Sequence, residues 1–92
     1  MLRLIVVTPV GEIFSGECDS VHLNTPDGEK GKGGGSVGIR QNHADAIMSL
    51  QKGIVRAYRS GELCASIDCE SGFATVRNNV VTVAADDASI IE

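Results

Sequence analysis

Few side chains in this sequence are suited to chemistry. They are Cys18, Cys64, Cys69, His22 and His43, together with one stretch, Gly28–Ser36, that reads GEKGKGGGS. In an extended chain, Cys18-x3-His22 places a thiol and an imidazole on one face of a strand. That is the beginning of a metal site that Cys64 and Cys69 would have to complete. The latter pair is five residues apart, which puts the two thiols on opposite faces of a continuous strand. No C-x2-C pair is present, whereas structural zinc is normally held by closely spaced pairs. The plainer reading makes these cysteines small hydrophobes. A thiolate activated by His22 or His43 is a further possibility, but no strand–turn–helix elbow marks a nucleophile. The glycine-rich stretch fails as a phosphate cradle. Gly34 stands where a Walker-type loop needs lysine. Gly33–Gly38 matches G-x-G-x-x-G only as a string, because no strand leads into it and no helical pattern leaves it. Lys30 and Lys32 on a glycine-rich backbone fit a mobile surface loop.

These residues must be positioned by a small body. Ninety-two residues fit one domain. A chain of this size buries only about 60–65% of its unfolded surface, which allows one thin core. With Phe14, Phe73 and Tyr58 as its aromatics, that core has to be built from Val, Ile, Leu and Ala. The longest apolar runs, such as Leu4–Val7, fall far short of a bilayer span of ~20 residues. The first residues, MLRLIVVTP, show neither the apolar region nor the cleavage site of a secretory signal. A net charge of −4 with scattered basic residues argues against nucleic acid as a partner. An odd number of cysteines without a signal favours reduced thiols.

Turn signals recur along the chain at Pro9-Val10-Gly11, Ser15-Gly16, Pro26-Asp27-Gly28, Lys52-Gly53, Ser60-Gly61, Ser71-Gly72 and Asn78-Asn79. Short β-branched segments lie between them, the pattern of an all-β sandwich or barrel. Val21 and Leu23 share one face of Ser20–Leu23. Leu63, Ala65 and Ile67 are expected to point one way, and Cys64, Ser66 and Asp68 the other. Leu2–Thr8 and Val80–Ala85 are more uniformly apolar and read as strands covered on both faces, or on one face by a partner. Ala44–Gln51 carries both helical and alternating spacings. The short Lys52-Gly53 turn into strand-like Ile54–Arg59 favours a strand. A domain of this kind offers little room for a substrate pocket, so the residues point to a surface that docks rather than a site that reacts.

Thr8-Pro9, Gly11, Phe14-Ser15-Gly16-Glu17, Ser20-Val21, Gly38-Ile39, His43-Ala44, Leu50, Gly53, Ser71-Gly72-Phe73, Val76, Asn79–Val83 and Ala85-Asp86 occur in an order that spans nearly the whole chain. This ordered set resembles the epsilon subunit of the F-type ATP synthase. The resemblance implies a flattened antiparallel β-sandwich of about ten short strands over residues 1–88, with a glycine-rich insertion at about 28–36 and a tail at 89–92. It implies a non-catalytic rotor subunit without cofactor, metal or small-molecule ligand, docking the gamma subunit to the membrane c-ring and so coupling ion flow to ATP synthesis. Such a subunit lies peripherally on the cytoplasmic face of a bacterial inner membrane, or on the equivalent matrix or stromal side, and meets the membrane only through the ring. The competing reading is a stand-alone β-sandwich that binds a metal or small ligand through Cys18, His22, Cys64 and Cys69.

Three departures from the family pattern bear on the docking residues. Full-length members continue into two C-terminal helices, whereas this sequence ends at Glu92, so the inhibition those helices exert is not carried over. The family's Gly-Glu-(Leu or Ile)-Gly-Ile, with its acid toward the ring, is broken by the glycine-rich insertion, which leaves Glu29 or Ser36 in the acidic position. Glu29, Ser36, Val37 and Gly38 are the ring-side residues implied. Pro-Gly-His-Ala-Pro becomes Gln41-Asn42-His43-Ala44-Asp45, and loss of both prolines is expected to free that loop and return backbone donors. His43 and Met48 are the implied gamma-side residues. Backbone amides of Gly28–Ser36 are expected to exchange faster than those of the strands in the free chain and to slow on docking, which residue-resolved hydrogen exchange measures.

Overall fold

The computed structural model describes residues 1–25 and 35–91. Among them the secondary structure is entirely strand: β1 (Leu2–Thr8), β2 (Gly11–Cys18), β3 (Ser20–Thr25), β4 (Gly35–Arg40), β5 (Ala46–Leu50), β6 (Gly53–Arg59), β7 (Glu62–Cys69), β8 (Gly72–Arg77), β9 (Val80–Ala85) and β10 (Ala88–Ile90). The segment that includes most of Gly28–Ser36 lies outside the described residues, and Gly35-Ser36 belongs to β4. Two five-stranded sheets form, in the orders β2-β1-β9-β8-β5 and β10-β7-β6-β3-β4. Stacked together they give the flattened sandwich expected from the sequence, with extents of 31 × 30 × 22 Å. Pairing is antiparallel except between β1 and β9, which run parallel from Arg3↔Val80 to Val7↔Ala84.

Alternation decides what each strand buries. Leu2, Leu4 and Val6 of β1 and Val81, Val83 and Ala85 of β9 face the second sheet and are essentially inaccessible. Val21 and Leu23, Ile39, Val55 and Ala57, and Ala65 and Ile67 face them from the opposite side. Burial of each large aliphatic side chain contributes roughly 1.5–3 kcal/mol, and this aliphatic layer is the body's main source of stability. Leu2–Thr8 and Val80–Ala85 therefore have one face in the core. Their other face carries Ile5, Val7, Val80 and Thr82, which are only half-buried.

The turns follow residue chemistry. Ser60 and Gly61 (φ 55° and 78°) join β6 to β7, and Asn78 and Asn79 (φ 51° and 63°) join β8 to β9. Two successive left-handed residues make the turn that matches the twist of a hairpin. Gly72 is required by space instead. A Cβ there would strike the carbonyl oxygen of Ala84 and lie 2.8 Å from the Ala85 Cα.

Two local expectations are corrected. Ser15-Gly16 is not a turn, because β2 runs straight through it. The glycine makes room for the Phe14 ring, whose Cζ would lie 3.0 Å from an added Cβ. Leu63 does not point into the core with Ala65 and Ile67; it is 47% exposed. Tyr58 pairs with Leu63 and Ala57 with Ala65, which leaves Cys64 as an extra residue. That bulge flips the phase of everything N-terminal to it in β7. β10 pairs with β7 from Ala88↔Cys69 to Ile90↔Ile67.

Val81 is fully buried between Leu4 and Val76 on the neighbouring strands. Val81→Asp, placing an unpaired carboxylate there, is expected to cost more than about 3 kcal/mol and to abolish cooperative melting. Thr82→Asp, one residue along on the outer face, is expected to melt within a few degrees of the parent when both are followed by circular dichroism.

Candidate docking surface

The chemistry-bearing residues are scattered by the fold. Cys18 closes β2 and is 1% exposed. The chain then turns at Asp19, whose amide donates to the Tyr58 carbonyl at 2.7 Å, and enters the second sheet. The alternation is broken there. His22 consequently lies on the outer face of the second sheet, against Tyr58 with ring centroids 4.9 Å apart. The sequence expectation that Cys18 and His22 share a face is thus overturned. Cys64 and Cys69 do take opposite sides, the first exposed and the second buried.

Burial also lifts the Cys18 and Cys69 thiols to about 11 from 9.0, with Cys64 and then Asp19 adding to the first and Asp68 to the second. A buried thiol that keeps its proton is neither a nucleophile nor a ready ligand. No three His, Cys, Asp or Glu side chains among the described residues are grouped to share a metal. The four-residue ligand set of the competing reading is therefore not assembled.

Of the large apolar side chains left in solvent, Leu63 and Ile90 belong to the second sheet, with Ile91 following β10, while two others share a face of the first. Ile47 is 79% exposed and Phe73 58%. Both lie on the outer face of the first sheet, because Met48 and Leu50 of β5, and Ala74 and Val76 of β8, face the core. Register places Ser49 opposite Phe73, Ile47 opposite Thr75, Phe73 opposite Ala84 and Thr82 beside Ile5. The result is an apolar face running from β5 across β8 and β9 to Ile5 and Val7 of β1. In the turn of the β1–β2 hairpin, Val10 is also bare. Charges stand at the margins: Glu12 and Glu17 on β2, with Arg3 3.7 Å from Glu17, and Asp45 and Arg77 beside Ile47. Shallow depressions of about 610 and 370 Å³ lie on this face, at Ile47–Thr75 and at Val7–Phe73–Ala84.

Of the residues implied by resemblance, Ser36, Val37 and Gly38 lie on β4, Met48 on β5 and His43 between the two strands. Glu29 lies outside the described residues. Ser36 pairs with Asn24, Gly38 sits opposite His22, and Val37 is half-buried against the core. Met48 is likewise half-buried against the core, so the bare apolar side chain of its strand is Ile47. His43 occupies the connection from β4 to β5. Its Nδ1–H donates to the Ala44 carbonyl at 2.7 Å, and its amide donates to Arg40 O at 3.2 Å. This connection is tied down rather than freed. Asn42 (φ 65°) donates its amide to the Asn79 side-chain oxygen at 2.6 Å, which pins the loop to the β8–β9 turn. Asparagine tolerates the left-handed conformation that glycine would take at that position.

Ile47 and Phe73 were not singled out by sequence reading. The signal was available, since Ala46, Met48 and Leu50 alternate and so assign Ile47 to the opposite face.

Residues 1–91 match the family described as ATP synthase, Delta/Epsilon chain, beta-sandwich domain. The chain is 33% identical over 91 residues to the ATP synthase epsilon chain of Leptospira borgpetersenii, covering 99% of this chain and 65% of that relative. It is 35% identical over 85 residues to the same-named chain of Desulfitobacterium hafniense, covering 92% and 58%. For the Helicobacter pylori epsilon chain the identity is 33% over 92 residues, covering 100% and 68%. The chain thus spans roughly three-fifths to two-thirds of the length of these relatives. In solved structures, its fold is shared by a chain of the Euglena gracilis mitochondrial ATP synthase OSCP/F1/c-ring assembly. The TM-score is 0.79 at 20% identity, covering 97% of this chain and 52% of that one. A chain of the Tetrahymena thermophila mitochondrial ATP synthase central stalk and c-ring gives 0.72 at 14% identity, covering 95% and 64%.

Exposure and thiol acidity make a direct test. In the native chain, a disulfide reagent is expected to modify Cys64 quickly, with Cys18 and Cys69 reacting only on unfolding. Both buried thiols titrate above their unfolded value, so their contribution is fully present below pH 9 and declines as pH rises toward about 11. Cys69→Ala is expected to flatten that alkaline fall in denaturation midpoint.

Proposed function

The chain belongs to the ATP synthase delta/epsilon chain beta-sandwich family, and on that premise we propose that it is a non-catalytic module of the rotating central stalk. In this reading it packs against the gamma subunit, reaches the polar side of the c-ring, and helps transmit ion-driven rotation to the nucleotide-binding head. The observation that carries the proposal is the apolar outer face of the first sheet, with Ile47 and Phe73 bare in a body whose core is otherwise closed. Monomeric proteins rarely leave a contiguous apolar surface open, and permanent subunit interfaces are where such surfaces are used.

The gamma subunit covers this face, with His43 and Met48 on its β5 side. The ring is met at the β3–β4 end by Glu29, Ser36, Val37 and Gly38. Transmission of torque needs a body that does not deform, and two sheets packed through an aliphatic layer supply it, because close-packed interiors compress little. The module supplies position and stiffness, and proton or phosphate chemistry stays with other subunits. No helix among the described residues is long and apolar enough to cross a membrane. In this reading the module sits beside the membrane, on the side of the catalytic head.

Co-expression with gamma and ring subunits, followed by native mass spectrometry, tests this reading. The chain is expected in a complex with gamma, and Phe73→Asp is expected to weaken that complex at least tenfold, about 1.4 kcal/mol, while leaving the melting temperature of the free chain in place. A folded chain that associates with neither gamma nor ring removes the proposal.

A further inference from the structure

The outer face of the second sheet carries an open depression of about 590 Å³, lined by Asp19, Ser20, His22, Arg40, Tyr58 and Gly61. Small-molecule sites span roughly 300–1,000 Å³. Strand register explains the grouping. Ser20 stands between Arg40 on β4 and Tyr58 on β6, and two residues along β3 His22 stands between Gly38 and Arg56. Directly opposed residues of antiparallel strands share a face, so two arginines, an imidazole and a phenol ring occupy one side of the sheet. Pairing of β3 with β4 runs from Ser20↔Arg40 to Thr25↔Gly35. Residues 26–34 therefore connect these strands at the other end of the hairpin, five residue steps or about 17 Å along it.

The lining is held in place by the fold. Asp19 donates its amide to the Tyr58 carbonyl at 2.7 Å, and its carboxylate accepts the Ser60 amide at 2.6 Å, which fixes the β6–β7 turn against the start of β3. The His22 and Tyr58 rings lie against each other, with centroids 4.9 Å apart and planes tilted by 53°. Gly38 has no side chain to cover the imidazole. A Cβ there would meet only Nε2, at 3.8 Å, so that nitrogen faces β4. The polar groups themselves are unspent. Ser20, His22, Arg40 and Tyr58 make no side-chain hydrogen bond to another described residue. The ion pairs among the described residues are Arg3–Glu17 and Lys52–Glu70, which leaves Arg40 without one there. That is notable in a chain with 12 acidic residues to 8 basic ones.

A guanidinium presents a planar fork of donors matched to carboxylate or phosphate oxygens, and here a hydroxyl and an imidazole nitrogen stand beside it. Asp19 is the opposing charge, and one of its oxygens is already engaged by Ser60. The tilted ring pair adds a surface on which another ring can pack. We infer that this depression binds a flat organic anion, its phosphate or carboxylate group held by Arg40 and Ser20 and its ring laid against the His22–Tyr58 pair. The site lies on the sheet opposite the Ile47–Phe73 face and stands independently of the stalk reading. Its openness to water keeps the affinity modest.

Titration of the isotopically labelled chain, followed residue by residue by NMR at constant ionic strength, is the test. The probes are phenyl phosphate, benzoate, phenol and inorganic phosphate. Saturable shifts at Ser20, His22, Arg40 and Tyr58 are expected with at least one of the two aromatic anions, at least tenfold tighter than with phenol or inorganic phosphate. The tighter of the two identifies the acidic group. Arg40→Gln is expected to weaken binding at least tenfold. Lys52→Gln, which removes the same charge at the far end of β6, is expected to leave it in place. Absence of saturable shifts at these residues with either aromatic anion overturns the site. So does a loss as large in Lys52→Gln as in Arg40→Gln, which marks attraction by net charge alone. Phenol or inorganic phosphate binding as tightly as the better aromatic anion overturns it as well.

Discussion

The whole structure depends on a single row of aliphatic side chains from each strand being taken out of water between two sheets. Leu2, Leu4 and Val6 from β1, with Val81 and Val83 from β9, form the middle of that layer. None of the three aromatic residues is fully buried. Small branched side chains leave little slack, so the two sheets approach closely and the interior resists deformation. Strand alternation does the rest. Once one face of a strand is committed to the core, the other face must meet water or a partner, and in the first sheet it is too apolar to be designed for water alone.

Much of this was legible in the sequence because period-two patterns are local. Val21 and Leu23 fix the phase of β3 without reference to anything else, whereas β5, whose residues also fit a helical spacing, reads as a strand only through the Lys52-Gly53 turn and the strand-like Ile54–Arg59 that follow it. The hairpin at Asn78-Asn79 is likewise marked by two residues that tolerate a left-handed backbone. What sequence reading missed depends on neighbouring strands. The bulge at Cys64 is a mismatch between β6 and β7, and no feature of Glu62–Cys69 alone announces it. Gly16 reads as punctuation until the Phe14 ring is seen lying over it.

The site residues divide along the same line. Thiols and imidazoles are conspicuous in a sequence, yet the fold buries Cys18 and Cys69 and turns His22 to the far side of the second sheet. Ile47 and Phe73 are inconspicuous, and their meaning comes only from the register that sets them on one face. The loss of prolines in Gln41–Asp45 suggested slack, and the bond from the Asn42 amide to the Asn79 side chain, which ties this loop to the β8–β9 turn, could not be foreseen from either segment alone.

The parallel pair of β1 and β9 has a consequence for biogenesis. Because Arg3 aligns with Val80, β1 has its permanent central neighbour only after every strand from β2 to β8 has been made. Until then the β1–β2 hairpin holds Leu2, Leu4 and Val6 without their cover. Closure of so long a loop is slow, so the aliphatic layer is completed late in folding.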